Sequence, residues 1–349
     1  MLCSMIRSIT YQDFLGFIKF VFLKEFDFYE NANENAKLET KTTETGHKPP
    51  RSLQLYENCG EKKVCSRTAE KKSVFDTIDQ SDLEIGEKLG AGGFGVVFAV
   101  KYASRDYALK KMHRMSTRAS RESFEAEASI VHLRHPNIVR TLSVFTMDDS
   151  ACILMEFVGR RTLQKVITDV ENEQLPEERR LRFALDVSRG LSYAHGKGVA
   201  HLDVKPTNIL ITKDDVCKIG DFGCCQSVGP ADNERPSSPT KSNLTGTYAY
   251  RAPELFRGEF ATPQSDVYSL GICLWQMLVR EKPYGSTNHH VVIFGVVAYN
   301  LRPTVPEGMH AGARYKQLME QCWHKDPSSR PTSKQLARAL EMTSVLNTL

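Results

Sequence analysis

From Leu83 onward the apolar residues follow one period and then another, and that single change limits the fold more than any other feature of the chain. Leu83-Glu84-Ile85-Gly86-Glu87-Lys88-Leu89 alternates, Val96-Val97-Phe98-Ala99-Val100 is β-branched and apolar, and Tyr107-Ala108-Leu109-Lys110 is a third short run of the same kind. A period of two puts alternate side chains on opposite faces of a strand. A helix is expected over residues 120–132, followed by two more strands near 138–145 and 152–157. Beyond Arg160 helical spacing takes over, at 180–195 with Leu181, Leu185, Val187, Leu191 and Ala194, then at 265–279, 315–323 and 333–346. Strands first and helices afterwards read as an α+β architecture, a small mainly β lobe followed by a larger mainly α lobe.

Residues 31–80 carry no such period. Glu, Lys, Thr, Asn and Ser dominate there, broken by His47-Lys48-Pro49-Pro50, the composition of an extension without a core. The expected organisation is therefore an extension over 1–80, the β lobe over 81–158 and the α lobe over 159–349. The aromatic stretch 14–23 follows Arg7 and mimics the apolar centre of a signal peptide, but Lys19 interrupts it and no small-x-small site follows. It is also too short to cross a bilayer, which takes about 20 residues. An extension of no separable function is the first reading, before a membrane-surface or partner-binding helix and, last, a signal peptide. Residues 267–278 are apolar on nearly all faces and fit a buried core helix. No transmembrane segment is expected.

Charge selects no ligand: 46 Lys and Arg against 42 Asp and Glu leave +4, too little to argue for nucleic acid or an anionic membrane as the main partner. Nine cysteines form an odd set without a C-x-x-C pair, which supports neither a disulfide framework nor a zinc site. A reducing, cytoplasmic setting is expected.

Leu89-Gly90-Ala91-Gly92-Gly93-Phe94-Gly95-Val96-Val97 contains G-x-G-x-x-G. A dinucleotide fold would start a helix here and a Walker loop would supply Gly-Lys-Ser/Thr; instead a β-branched run follows. What is left is a glycine hairpin between strands, whose backbone N–H groups can approach phosphates closely. Such a hairpin calls for a lysine on the next strand, and Lys110 stands 15 residues after Gly95. Its helix partner should be a glutamate that orients it toward the α- and β-phosphates. Glu127 is the choice, with Glu125 left open by the spacing to His135-Pro136-Asn137.

His201-Leu202-Asp203-Val204-Lys205-Pro206-Thr207-Asn208-Ile209-Leu210 is followed, 13 residues after Asn208, by Asp221-Phe222-Gly223. Ala252-Pro253-Glu254 comes later, then Asp266 and, near the end, Arg330. This order resembles the catalytic core of the eukaryotic protein kinases over about residues 83–346. The resemblance implies a bilobal protein-kinase-like fold, ATP and Mg²⁺ as cosubstrate and cofactor, and a protein substrate. It puts Asp203 at the catalytic-loop aspartate, and Asn208 and Asp221 at the metal ligands. Hard oxygens for Mg²⁺ and a carboxylate to take the hydroxyl proton are what phosphoryl transfer needs. By the same alignment Leu89, Val97, Ala108 and Leu210 would sandwich the adenine and Met155 would be the gatekeeper. The backbone of Glu156 and Val158 would offer hydrogen bonds, and Arg330 would pair with Glu254. Lys205 and Thr247 resemble the serine/threonine class, Lys205 neutralising the transferred group and Thr247 bracing the catalytic loop. A scaffold without activity would lack one of the Lys, Asp or Asn residues, and all are present.

Leu202 departs from the family, which usually has an arginine there to receive an activation-loop phosphate. Acceptors for such a phosphate are at hand in Ser237, Ser238, Thr240, Ser242 and Thr245. At finer grain His201-Leu202-Asp203, Asp221-Phe222-Gly223-Cys224, Gly246-Thr247-Tyr248-Ala249-Tyr250-Arg251-Ala252-Pro253-Glu254-Leu255 and Val297-Ala298-Tyr299-Asn300-Leu301-Arg302-Pro303 resemble the Mos kinases. That resemblance implies a MAP kinase kinase as the substrate and a role in oocyte meiosis. The N-terminus departs from it, since proteins of that group begin Met-Pro and lack a stretch like 14–23. The group's N-terminal control of turnover, and the assignment of the start codon, stay open here.

Overall fold

The computed structural model describes residues 82–113, 117–228, 248–309 and 311–348. The extension over 1–80, the aromatic stretch 14–23, the acceptor residues Ser237 to Thr245 and Thr247 lie outside the described residues.

Five strands build the first lobe: β1 (Glu84–Ala91), β2 (Gly95–Tyr102), β3 (Arg105–Met112), β4 (Thr141–Met147) and β5 (Ser150–Glu156). They form one antiparallel sheet in the order β1-β2-β3-β5-β4. Ala99 stands opposite Ala108 and Leu109 opposite Leu154, so Leu109, Leu154, Val100 and Cys152 meet in a small buried core with Leu83 and Met147. Helix α1 (Arg118–Ser129) starts two residues before the expected 120, because Thr117 caps it by accepting from the Ser120 N–H at 3.1 Å. It also ends earlier, at a non-helical Ile130. The strand expected from 138 begins only at Thr141. Residues 137–139 pair instead with the second lobe, where Val139 N–H donates to Ile219 at 2.8 Å and Ile219 N–H to Asn137 at 2.9 Å.

The second lobe is helical: α2 (Leu163–Thr168), α3 (Glu177–Gly196), α4 (Pro253–Phe256), α5 (Pro263–Val279), α6 (His289–Tyr299), α7 (Ala313–Cys322) and α8 (Ser333–Thr348). Two small ladders, β6 (Val199–Ala200) with β9 (Gln226–Ser227) and β7 (Ile209–Ile211) with β8 (Cys217–Ile219), lie between α3 and α4 in the chain. Helix α5 explains its own composition. Every residue from Ser265 to Val279 is buried, so no polar face is needed, and Thr262 with Ser265 forms a capping box at its start. Among the described residues no helix is long and apolar enough to cross a membrane. Helices α2 and α6 had no expectation in the sequence. The α6 run HHVVIFGVVAY is apolar with a central glycine and many β-branched residues, so its helical state comes from packing, with Val292, Ile293, Phe294 and Val296 buried.

Candidate active site

The glycine turn joins β1 to β2, with Gly92 N–H donating to the Gly95 carbonyl at 2.9 Å and His113 N–H to that of Phe94 at 2.9 Å. At Gly90, Gly92 and Gly93 an added Cβ would meet nothing within 4 Å. Packing inside the protein therefore does not demand glycine at these positions. A ligand brought against the backbone would.

Strand register gathers the rest of this wall. Val97 stands opposite Lys110, and Ala108 opposite Met155, so the period of two places Val97, Lys110, Ala108 and Met155 on one face of the sheet. Ala108 is buried, while Leu89, Val97, Met155 and, in β7, Leu210 are half-covered, an apolar surface left partly open. Val96 shares that partial cover, and Ala91 is exposed where the turn begins. Glu156 and Val158, at and after the end of β5, are half-buried as well.

Lys110 is buried and makes two ion pairs, one with Glu127 on α1 and one with Asp221 Oδ1 at 2.8 Å. Glu127 is buried and Glu125 exposed, so the helix face decides between the two glutamates that spacing left open. Burial alone would lower the Lys110 pKa, but Asp221 and then Glu127 hold it above the ordinary lysine value. The ammonium of Lys110, 2.8 Å from its Oδ1, holds the Asp221 carboxyl down at about 2. Glu127 is pushed up by burial, against the pull of Lys110. Gly223 lets α1 come this close: a Cβ there would sit 2.5 Å from Ser123 Oγ and 2.9 Å from Glu127 Oε1.

Asp203 is held from two sides. Its Oδ2 accepts from Lys205 Nζ at 2.7 Å and from Asn208 Nδ2 at 2.9 Å, and its carbonyl accepts from Asn208 Nδ2 at 3.0 Å. His201 braces the loop beneath. Its Nε2 faces the Gly220 carbonyl at 3.0 Å, which can only accept, and its Nδ1 faces the Asp203 N–H at 3.2 Å, which can only donate. Those partners place the ring proton on Nε2. Phe222 packs edge-on against the same ring at 4.5 Å.

Asp266, wholly buried on α5, accepts from the backbone N–H of His201 at 2.8 Å and of Leu202 at 2.7 Å. Leu202 sits at φ +63°, a left-handed conformation that disfavours a residue of its size, and the Asp266 carboxylate holds it there. Burial would raise Asp266, but donation by His195 Nε2 at 2.8 Å holds it below the usual carboxylate range. The other ring nitrogen of His195 meets Ser333 Oγ at 2.8 Å. In the sequence Asp266 stands only as an acid after Ala252-Pro253-Glu254, and nothing local marks His195, Ser333 or Lys218. An acid inside an apolar helix was the one signal available.

Asn208 spends its Nδ2 on Asp203, and its Oδ1 has only a long contact, 3.4 Å, from Thr207 Oγ1. The Asp221 side chain is 46% exposed. One amide oxygen and one carboxylate make the small hard-oxygen set that Mg²⁺ uses when phosphates and water complete its shell. Among the described residues no group of three or more His, Cys, Asp or Glu could hold a metal by itself. The donors present fit Mg²⁺ carried with a nucleotide rather than a protein-only cage.

A sheet lobe over a helical lobe, with Lys110, Glu127, Asp203, Asn208 and Asp221 gathered along one strip, narrows the possible relatives. Residues 83–340 match the protein kinase domain. The chain belongs to the protein kinase family. Serine/threonine-protein kinase mos of Patiria pectinifera is 45% identical over 270 residues, 76% of this chain and 76% of its own length. The proto-oncogene serine/threonine-protein kinase mos of Mus musculus is 39% identical over 290 residues, 78% of this chain and 83% of its own. Serine/threonine-protein kinase mos of Xenopus laevis is 40% identical over 278 residues, 76% and 77%. The chain is a Mos-like serine/threonine protein kinase.

Proposed function

We propose that this kinase transfers the γ-phosphoryl group of ATP, carried with Mg²⁺, to serine or threonine hydroxyls of a MAP kinase kinase, as a cytoplasmic enzyme in oocyte meiosis. The observation that carries the transfer is the convergence of Lys110, Lys205, Asp203, Asn208 and Asp221. The substrate and the setting rest on the likeness to the Mos kinases.

In this reading Asp203 accepts the proton of the acceptor hydroxyl as the oxygen attacks. Its orientation is preset, because Lys205 and Asn208 both engage Oδ2 and so fix the carboxylate's rotation. Lys205 neutralises charge that builds on the transferred group. Lys110, aimed by Glu127, orients the α- and β-phosphates, and the glycine turn covers them with backbone N–H groups. Asn208 and Asp221 would hold Mg²⁺, which when bound draws charge from the phosphate oxygens. Leu89, Val97, Ala108, Leu210 and Met155 enclose the adenine, and Glu156 and Val158 offer it their backbone edges.

The test is transfer from labelled ATP to a catalytically dead MAP kinase kinase and to the same protein with its activation-segment serines changed to alanine. Label in the first and none in the second is the expected result. No label in either, with an unrelated protein labelled well, would refute the substrate.

A further inference from the structure

Glu156 closes β5 at the point where, on the reading above, its backbone meets the adenine, and the inference rests on that reading. Its side chain is engaged elsewhere. Glu156 Oε1 accepts from the Arg140 N–H at 2.8 Å and from Lys218 Nζ at 2.8 Å, while the Glu156 N–H donates to the Arg140 carbonyl at 3.0 Å. The residue is thus gripped through both backbone and carboxylate.

Lys218 stands in the middle of β8, opposite Leu210 in the β7–β8 ladder and three residues before Asp221. Strand β8 is itself a firm post. Cys217 N–H donates to Asp186 Oδ2 at 2.9 Å, Asn137 Nδ2 to the Cys217 carbonyl at 2.9 Å, and Ile219 exchanges backbone bonds with residues 137 and 139. Lys218 therefore meets three parts of the nucleotide reading: its ammonium reaches the edge at Glu156, its backbone pairs with the floor at Leu210, and its strand leads into Asp221.

We propose that Lys218 is a positioning residue for nucleotide binding, fixing through the Glu156 carboxylate the backbone edge that receives the adenine. The physical gain is preorganisation. An edge already held at one orientation loses less freedom when the nucleotide binds. The side chains of Lys218 and Glu156 are 17% and 31% exposed, so solvent screens the pair in part and the effect is modest. It should appear in affinity for ATP rather than in the transfer step, because neither side chain engages Asp203, Lys205 or Lys110.

The experiment compares the purified kinase with its Lys218→Met and Lys218→Arg variants, alone and in a Glu156→Gln background. Three quantities are read: kcat, KM for ATP at saturating protein substrate, and Kd of a fluorescent ADP analogue with Mg²⁺. Expected for Lys218→Met is a rise in KM and Kd of about fivefold, the size of a partly screened ion pair, with kcat within about twofold. Lys218→Arg should restore most of the affinity, and Lys218→Met should change little once Glu156 is already Gln. Unchanged KM and Kd would overturn the proposal. So would a fall in kcat and melting temperature without a shift in KM, or a rise in kcat alone. Failure of the unaltered kinase to bind the analogue would instead refute the ATP reading, which keeps the two failures distinct.

Discussion

Replacing Arg330 with methionine should destabilise the second lobe by about 3–5 kcal/mol, the usual cost of stranding one member of a buried ion pair. Glu254 is 1% exposed and Arg330 4%, and they meet through two parallel bonds, Nη1 to Oε1 at 2.7 Å and Nη2 to Oε2 at 2.8 Å. Without the guanidinium the carboxylate keeps a single side-chain donor, Ser265 Oγ at 2.9 Å. Arg330 also donates to the carbonyls of Gln264 at 3.0 Å and His324 at 2.8 Å, which link residues before and within α5 to the segment preceding α8. At about 2–4 °C per kcal/mol for a domain of this order of size, the melting temperature should fall by at least about 6 °C. Lysine at 330 should rescue little, since an ammonium cannot make the forked contact. The double change Arg330→Met with Glu254→Gln should recover part of the loss by removing the stranded charge. Urea unfolding of the four proteins measures this, and an Arg330→Met variant within about 1 kcal/mol of the parent would show that Glu254 is not left stranded.

Three further outcomes follow from the site. Asp221 has its folded pKa near 2, below the ordinary 3.8, so its contribution to stability is complete above pH 4 and lost as pH falls from about 4 toward 2. The difference in urea midpoint between parent and Asp221→Asn should shrink over that window, and a constant difference would contradict the pairing with Lys110. The Cys224 thiol is pushed up to about 12 by burial and by the charges of Asp203 and Asp221, so its thiolate fraction near pH 7.5 is about 10³-fold below that of an ordinary thiol. Peptide mapping should show Cys224 the slower to react with iodoacetamide in the folded protein, and labelling at the rate of the denatured chain would contradict this. Leu202 offers no cation beside Asp203, so phosphatase treatment that leaves residues 229–247 bare should change turnover by less than about tenfold, or 1.4 kcal/mol. A larger fall would show that another cation receives a phosphate.

What could be read from the sequence divides along the range of the interactions. The change of period at Arg160 is local, and so the two-layered order of strands and helices was visible in it. Asp203, Asn208 and Asp221 were visible because the runs 201–210 and 221–223, 13 residues apart from Asn208 to Asp221, resemble the catalytic loop and D-F-G motif of the protein kinases. The choice between Glu127 and Glu125 was not, since two residues along a helix put the carboxylate on different faces and only the packing of α1 shows which face is covered. Lys218 and His195 carried no local signal at all. Their meaning comes from partners 62 and 71 residues away, Glu156 and Asp266, and arises only when β8 and α5 take their places. Helix α6 is the converse, a segment whose own residues favour a strand and whose burial makes it helical.

In the proposed function Asp203 takes the proton from a serine or threonine hydroxyl while Lys110 holds the nucleotide. The direct measurement is transfer by the purified Asp203→Asn variant under single-turnover conditions, with nucleotide binding measured on the same sample. Asparagine keeps the shape and removes the proton acceptor. Transfer should slow by about 10² to 10⁴, with ADP-analogue affinity within a few-fold of the parent. Transfer at the parental rate with affinity intact would contradict that role for Asp203.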